Sequence, residues 1–189
     1  MKLSNLESII IRSATFDDLQ KIAEIKIDKQ SSNGYDIEAE TAIHNLFMRE
    51  YKKRWEQRLQ LGVSTLILSR DDHIYGFVSC SLVSGKQGES LGAIEMTSLY
   101  IMPDMRRLGL GSMLCHAALI RLKEMDFPTA VVWIPECSFQ MMSFYESMGF
   151  GATADIRQEV VHNQTIIKEV KHQIDLKSHN FPTSMTIYD

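Results

Sequence analysis

Residues 95–111, Glu-Met-Thr-Ser-Leu-Tyr-Ile-Met-Pro-Asp-Met-Arg-Arg-Leu-Gly-Leu-Gly, constrain the fold more than any other stretch of this 189-residue chain. From Leu91 to Met102, apolar and β-prone residues predict a strand; Pro103 interrupts it, and Leu110 to Met125 has the period of a helix. Arg106, Arg107, Gly109 and Gly111 gather at the junction. Glycine lets a backbone approach a ligand closely, and the first turn of a helix presents amides that have no acceptor within it. A phosphate seated there gains hydrogen bonds and a favourable helix dipole, with the two arginines as charged donors at the rim.

The rest of the chain supplies a sheet around that junction. Ile9 to Ser13 predicts a first strand, after which Thr15 or Asp17 caps a helix burying Leu19, Ile22, Ala23 and Ile25 to Ile27. Ser31 to Gly34 breaks it, and Tyr35 to Gln60 predicts one bent helix or two adjoining ones. Thr65 to Leu68 reads as a strand, Arg70 to His73 as a tight turn and Ile74 to Val83 as the hairpin partner, with a solvated loop from Gly85. Ala130 to Trp133 is a compact strand. The helix-long connection before it favours a parallel crossover pairing with the strand that precedes the glycines. Phe139 to Met148 predicts a helix ended by Gly149, and Thr153 to Val161 and Thr165 to Val170 predict two strands around a His-Asn-Gln turn.

Composition removes several function classes. A net charge of -4 with dispersed basic residues offers no broad footprint for nucleic acid. No apolar run approaches the length of a bilayer span, and the N-terminal residues lack the apolar core of a secretory signal. Cys80, Cys115 and Cys137 form neither a disulfide framework nor a paired zinc motif, so the expectation is a cytoplasmic protein that uses no metal.

Two familiar phosphate motifs fit poorly. A dinucleotide-binding G-x-G-x-x-G needs glycine where this chain has Leu114, and a P-loop needs Gly-Lys followed by Ser or Thr. Residues 99–114 instead resemble the coenzyme-binding motif of the GCN5-related N-acetyltransferase (GNAT) family, in which Arg or Gln is followed by two residues, Gly, one residue, and Gly or Ala. Here these are Arg106, Gly109 and Gly111. The family's second landmark, Tyr-x-x-x-Gly-Phe at the end of a later helix, falls at Tyr145 to Phe150.

The resemblance implies a GNAT-like α/β fold: a mixed, mostly antiparallel sheet of about six or seven strands flanked by helices, with a splayed central parallel pair. It implies a single acetyltransferase domain over residues 1–174, with its core at about 9–170. The extension at 175–189 has three open readings: a loose end, a cap on the sheet edge, or an arm reaching the second subunit of a homodimer. It also implies acetyl-CoA as cosubstrate and an amine-bearing acceptor, with no nucleic acid or membrane partner. Amides from Leu108 through Gly111, including Leu110 and extending to Arg107 and Ser112, would cradle the pyrophosphate. Backbone groups around Leu99, Tyr100 and Ile101 would pair with the pantetheine arm. Ser138 and Met141 stand where many relatives have Asn and Ala; Ser138 would cap its helix and bond to the arm, and Met141 would narrow the channel.

Two residues carry the expected chemistry. Tyr145, whose phenol stays protonated at neutral pH, would supply a proton to the departing sulfur, and its alternative is a packing tyrosine. Glu95 would take the amine's proton directly or through water, and its alternative is a carboxylate that only binds a cationic acceptor. The competing function is a coenzyme-binding regulatory module without useful turnover. Cys137 lacks a neighbouring base, Cys80 and Cys115 read as packing residues, and Met141, Met142 and Met148 read as core and channel wall. His73, His116 and His162 have no metal partner at useful spacing. Arg49, Lys52, Lys53, Arg54 and Arg58 form a basic stripe that reads first as a solvated face, and Glu38 and Glu40 would favour a cation if they converge with Glu95.

Overall fold

The computed structural model describes residues 9–22, 25, 65–71, 73–82, 92–161, 165–181 and 187–188. The expected helices of 35–60, the basic stripe, Glu38, Glu40, the loop from Gly85 and the turn at His162 lie outside the described residues.

Among the described residues, eight strands form one sheet in the order β6-β7-β5-β4-β3-β2-β1-β8. They are β1 (Ile10–Ser13), β2 (Thr65–Arg70), β3 (His73–Leu82), β4 (Ala93–Ile101), β5 (Thr129–Pro135), β6 (Gly151–Val161), β7 (Thr165–Asp175) and β8 (Ile187–Tyr188). Helix α1 (Leu110–Glu124) joins β4 to β5, and α2 (Phe139–Ser147) joins β5 to β6. The sheet is mostly antiparallel; β4 with β5 and β1 with β8 are its parallel pairs. The strand count exceeds the expected six or seven because residues 187–188, which carry no readable periodicity, add a strand at the β1 edge. The segment before it is also engaged: β7 runs on to Asp175, Leu176 is fully buried, and Phe181 packs against the core.

Alternation along the strands divides the sheet into two faces. Leu66, Leu68, Val78, Cys80, Ile94 and Met96 join Leu114, Leu119 and Leu122 of α1 in the larger core. On the opposite face, Ile67 and Phe77 pack with Leu19 and Ile22 of the first helical segment. That segment starts on a half capping box: the Asp18 carboxylate accepts from the Thr15 amide at 2.8 Å and from its hydroxyl at 2.9 Å. The Arg12 guanidinium grips the same carboxylate at 2.7 and 2.8 Å, tying β1 to the helix start.

Candidate functional site

The central parallel pair is short. Ala93 pairs with Thr129, Ile94 with Ala130 and Glu95 with Val131, after which β4 continues to Ile101 and β5 to Pro135 without pairing with each other. The parting has a local cause. Ser79 pairs with Ser98 while Cys80 pairs with Met96, so Thr97 is an extra residue on β4, and its hydroxyl donates to the Ser79 carbonyl at 3.1 Å. A bulge of this kind bends its strand and raises the local twist, turning β4 away from β5. From Met96 to Ile101, the β5-facing backbone groups of β4, including those around Leu99 and Tyr100, therefore border a gap.

The strand ends in the glycine junction. The Met102 amide donates to the Tyr75 carbonyl at 2.8 Å, and Pro103–Met105 forms a 3-10 turn with Met105 buried. Arg106 folds back: its Nε donates to the Ile101 carbonyl at 2.9 Å and its guanidinium lies 5.8 Å from the Tyr100 ring centre. Arg106 thus braces the loop. Arg107 and Gly109 both take positive φ, 61° and 81°. The glycine was legible as a turn residue, whereas arginine in the left-handed region has no sequence signal.

Gly109 caps α1, and its carbonyl accepts the first intrahelical bond, from Met113 at 3.0 Å. The amides of Leu110, Gly111 and Ser112 precede that bond, so the helix gives them no acceptor. Leu110 is buried beneath them, Leu108 is exposed, and a Cβ built on Gly109 would meet nothing within 4 Å. The junction is therefore an open cradle of donors. Gly111 faces inward: a Cβ there would touch Ile101 and Phe144 at 3.8 Å.

Behind the gap sits Tyr145, buried on α2 with Phe144 and Phe150 edge-on to its ring. Its hydroxyl donates to the Met96 sulfur at 4.0 Å. Burial raises the phenol above its usual range, so it remains protonated at neutral pH. Ser138 is the N-cap of α2 but, against expectation, makes no side-chain cap bond; its carbonyl accepts from Met142 at 3.0 Å, which leaves the hydroxyl out of the capping. Met141 is exposed on the same helix, while Met142 and Met148 pack into the core.

Glu95 projects from the opposite face of β4. Its carboxylate lies 3.6 Å from an Arg157 terminal nitrogen, and Arg157 Nε donates to Glu169 at 2.6 Å. The same guanidinium sits 4.6 Å from the Trp133 ring centre. Sequence reasoning missed Arg157, Glu169 and Trp133 as neighbours of Glu95. The β6–β7 register sets Arg157 opposite Glu169, and their meeting with β4 requires the strand order β6-β7-β5-β4.

The remaining candidates stand apart from this arrangement. Cys80 and Cys115 are buried in the core, and burial pushes both thiols up to about 12, whereas Cys137 is exposed. His116 is half-buried on α1 and held below its usual range by burial and by His179. Among the described residues, no group of three His, Cys, Asp or Glu is placed to hold a metal ion, and no helix is long and apolar enough to cross a membrane.

The acetyltransferase (GNAT) family model matches residues 32–150. The chain belongs to the GNAT family. A curated relative, the uncharacterized N-acetyltransferase YuaI of Bacillus subtilis, is 23% identical over 130 residues, covering 68% of this chain and 72% of the relative. The fold matches yncA from Salmonella typhimurium, solved with its cofactor acetyl-CoA, at a TM-score of 0.71 and 20% identity, over 94% of this chain and 99% of the other. It also matches the ribosomal-protein-alanine N-acetyltransferase of Brucella melitensis at a TM-score of 0.70 and 18% identity, over 88% and 99%. The Arg106–Gly111 loop leads into α1, and Tyr145 lies on α2.

Proposed function

We propose that this chain moves an acetyl group from acetyl-CoA to a primary amine by direct attack in a ternary complex. One observation carries the reading. Consecutive residues of β4 at the parting point face opposite sides of the sheet, Glu95 toward Arg157 and Met96 toward the Tyr145 hydroxyl. A proton acceptor and a proton donor therefore flank the start of a single gap.

The residues present fit the coenzyme. The amides of Arg107, Leu108, Gly109, Leu110, Gly111 and Ser112 would hold its pyrophosphate, with Arg106 at the rim, and the open space over Gly109 admits the group. Backbone groups around Leu99, Tyr100 and Ile101 would pair with the pantetheine arm, alongside Ser138 and Met141. When bound, acetyl-CoA supplies a thioester carbonyl open to attack.

The chain's own groups then act on protons and charge. An alkyl ammonium is largely protonated near neutral pH, and Glu95 takes up that proton directly or through water. An amide near Leu99 or Tyr100 donates to the negative charge developing on the carbonyl oxygen. Tyr145, protonated at neutral pH, donates its hydroxyl proton to the departing sulfur.

Calorimetric titration with acetyl-CoA, followed by a broad amine screen that reads free thiol with hydrolysis subtracted, tests this function. Saturable uptake together with amine-dependent thiol release is expected. Uptake without release by any amine would leave a coenzyme-binding module, and no uptake by folded protein would end the proposal.

A further inference from the structure

The Glu95–Arg157–Glu169–Trp133 cluster joins four strands on the face away from α1 and α2, and no motif of the chain predicts it. Arg157 stands opposite Glu169 across the β6–β7 hairpin, and Trp133 lies on β5 between that hairpin and β4. Glu169 is the closer partner: its side chain is 10% exposed and its bond to Nε is 2.6 Å. Glu95, 20% exposed, meets a terminal nitrogen at 3.6 Å, beyond hydrogen-bond distance but well within Coulomb range. The indole lies against the guanidinium, so Arg157 is held by a carboxylate and a ring before it meets Glu95.

We propose that Arg157 is a positioning residue, a fixed cation that holds the Glu95 carboxylate ionised and directed at the mouth of the parted strands; this rests on the transferase reading only for its consequence in turnover. A proton acceptor must be ionised before the amine arrives, and a cation within about 4–6 Å favours that form. Arginine suits the place. Its fork reaches Glu169 and Glu95 together and sits over Trp133, and it keeps its charge at every working pH.

The described charged groups around Glu95 are few. β6 presents Arg157 and Asp155, and β7 presents Glu169 and Lys171, with Lys171 paired to Asp155 at 2.9 Å. On the flanking strands, the direct partners of Glu95 are Ser81 of β3 and Val131 of β5, neither of them charged. Two substitutions are expected to act in opposite directions. Arg157→Gln removes the cation and leaves two carboxylates facing each other, which raises the Glu95 titration. Glu169→Gln gives the whole cation to Glu95, which lowers it.

The test needs no acceptor. Protein labelled with carbon-13 at glutamate carboxyls is titrated by NMR, with the Glu95 signal assigned from Glu95→Gln and folding checked by amide spectra at each pH. Relative to the unsubstituted protein, the Glu95 midpoint is expected to rise by about one to three pH units in Arg157→Gln. It should stay nearer its original value in Arg157→Lys, which keeps the charge, and fall in Glu169→Gln. A midpoint unmoved in folded Arg157→Gln, or moved in the same direction by both neutralising changes, would overturn the proposal. With an amine found active in the screen, the acid limb of kcat/KM should follow the same order while acetyl-CoA affinity stays constant. Loss of coenzyme uptake in the unsubstituted protein would instead remove the transferase reading and leave the NMR result standing.

Discussion

Glu95 and Val131 form the last rung between β4 and β5, and the next residue of β4, Met96, accepts the Tyr145 hydroxyl at 4.0 Å. Two consecutive residues thus take the strand from paired sheet to open gap. Strand alternation sends their side chains to opposite faces, and the Thr97 bulge directly after them keeps the gap from closing. The chemistry proposed for this site follows from that placement, and it gives the tyrosine and the loop glycines separable roles.

Tyr145→Phe is expected to lower turnover roughly 10²-fold or more while acetyl-CoA affinity and thermal stability change little. The phenol's recorded hydrogen bond is a long one to a thioether, so its removal takes little from the core, and the ring keeps its edge contacts with Phe144 and Phe150. Steady-state thiol release beside calorimetry checks this; equal turnover by both proteins would return Tyr145 to a packing role.

Gly109 and Gly111 should respond differently to the same change. Gly109→Ala puts a side chain at φ 81°, at an expected cost of about 1–2 kcal/mol, and points it into the open cradle, so stability and coenzyme affinity fall together. At Gly111 a methyl group meets Ile101 and Phe144 at ordinary contact distance and helix propensity improves by about 0.5–1 kcal/mol, so Gly111→Ala keeps or gains stability. A bulkier residue at 111 has to displace Ile101 at the end of β4 and weakens coenzyme binding through that strand. Urea denaturation and acetyl-CoA titration of the three variants separate the effects, and equal behaviour of the two alanine variants would contradict the geometry.

Much of this architecture was legible because it is written in local pattern. The alternation of β2 to β7, the helix after Gly109 and the crossover between β4 and β5 all follow from periodicity and connection length, and the expected boundaries moved by a few residues at most strand ends. What stayed illegible depends on distant parts meeting or on backbone states without a residue preference. Arg107 adopts positive φ although arginine does not favour it. Residues 187–188 are too short for a period, and they become a strand only where the β1 edge offers partners. The ion cluster joins residues 95, 133, 157 and 169, and no spacing along the chain encodes their approach.

A thiol reagent separates the three cysteines. Cys80 and Cys115 are buried, with thiols raised to about 12 by loss of solvent, so both are protonated and inaccessible at neutral pH, whereas Cys137 is exposed. Native protein should take up one maleimide and unfolded protein three, the full cysteine complement. Cys137→Ser should abolish native labelling and leave amine-dependent turnover intact. Loss of turnover with normal coenzyme affinity would point to a covalent route through that thiol.

Acid stability should depend on Asp18. Burial alone would raise its carboxyl, but the Arg12 guanidinium and the Thr15 amide and hydroxyl outweigh that effect and hold it below the usual carboxylate range. A carboxyl depressed on folding contributes stability that is fully present above its unfolded value of about 4, and that contribution is lost as pH falls through the lower folded value. Stability should therefore decline from about pH 4 downward as this group takes up its proton. Asp18→Asn removes the charge-assisted bonds at every pH, at an expected cost of about 2 kcal/mol near pH 7. It also removes this group's share of the acid decline, so the two stability curves converge as pH falls. Urea midpoints measured from pH 7 to pH 2 provide the check, and curves that stay parallel throughout would mean that the Arg12–Asp18 pair is not what links the β1–helix junction to pH.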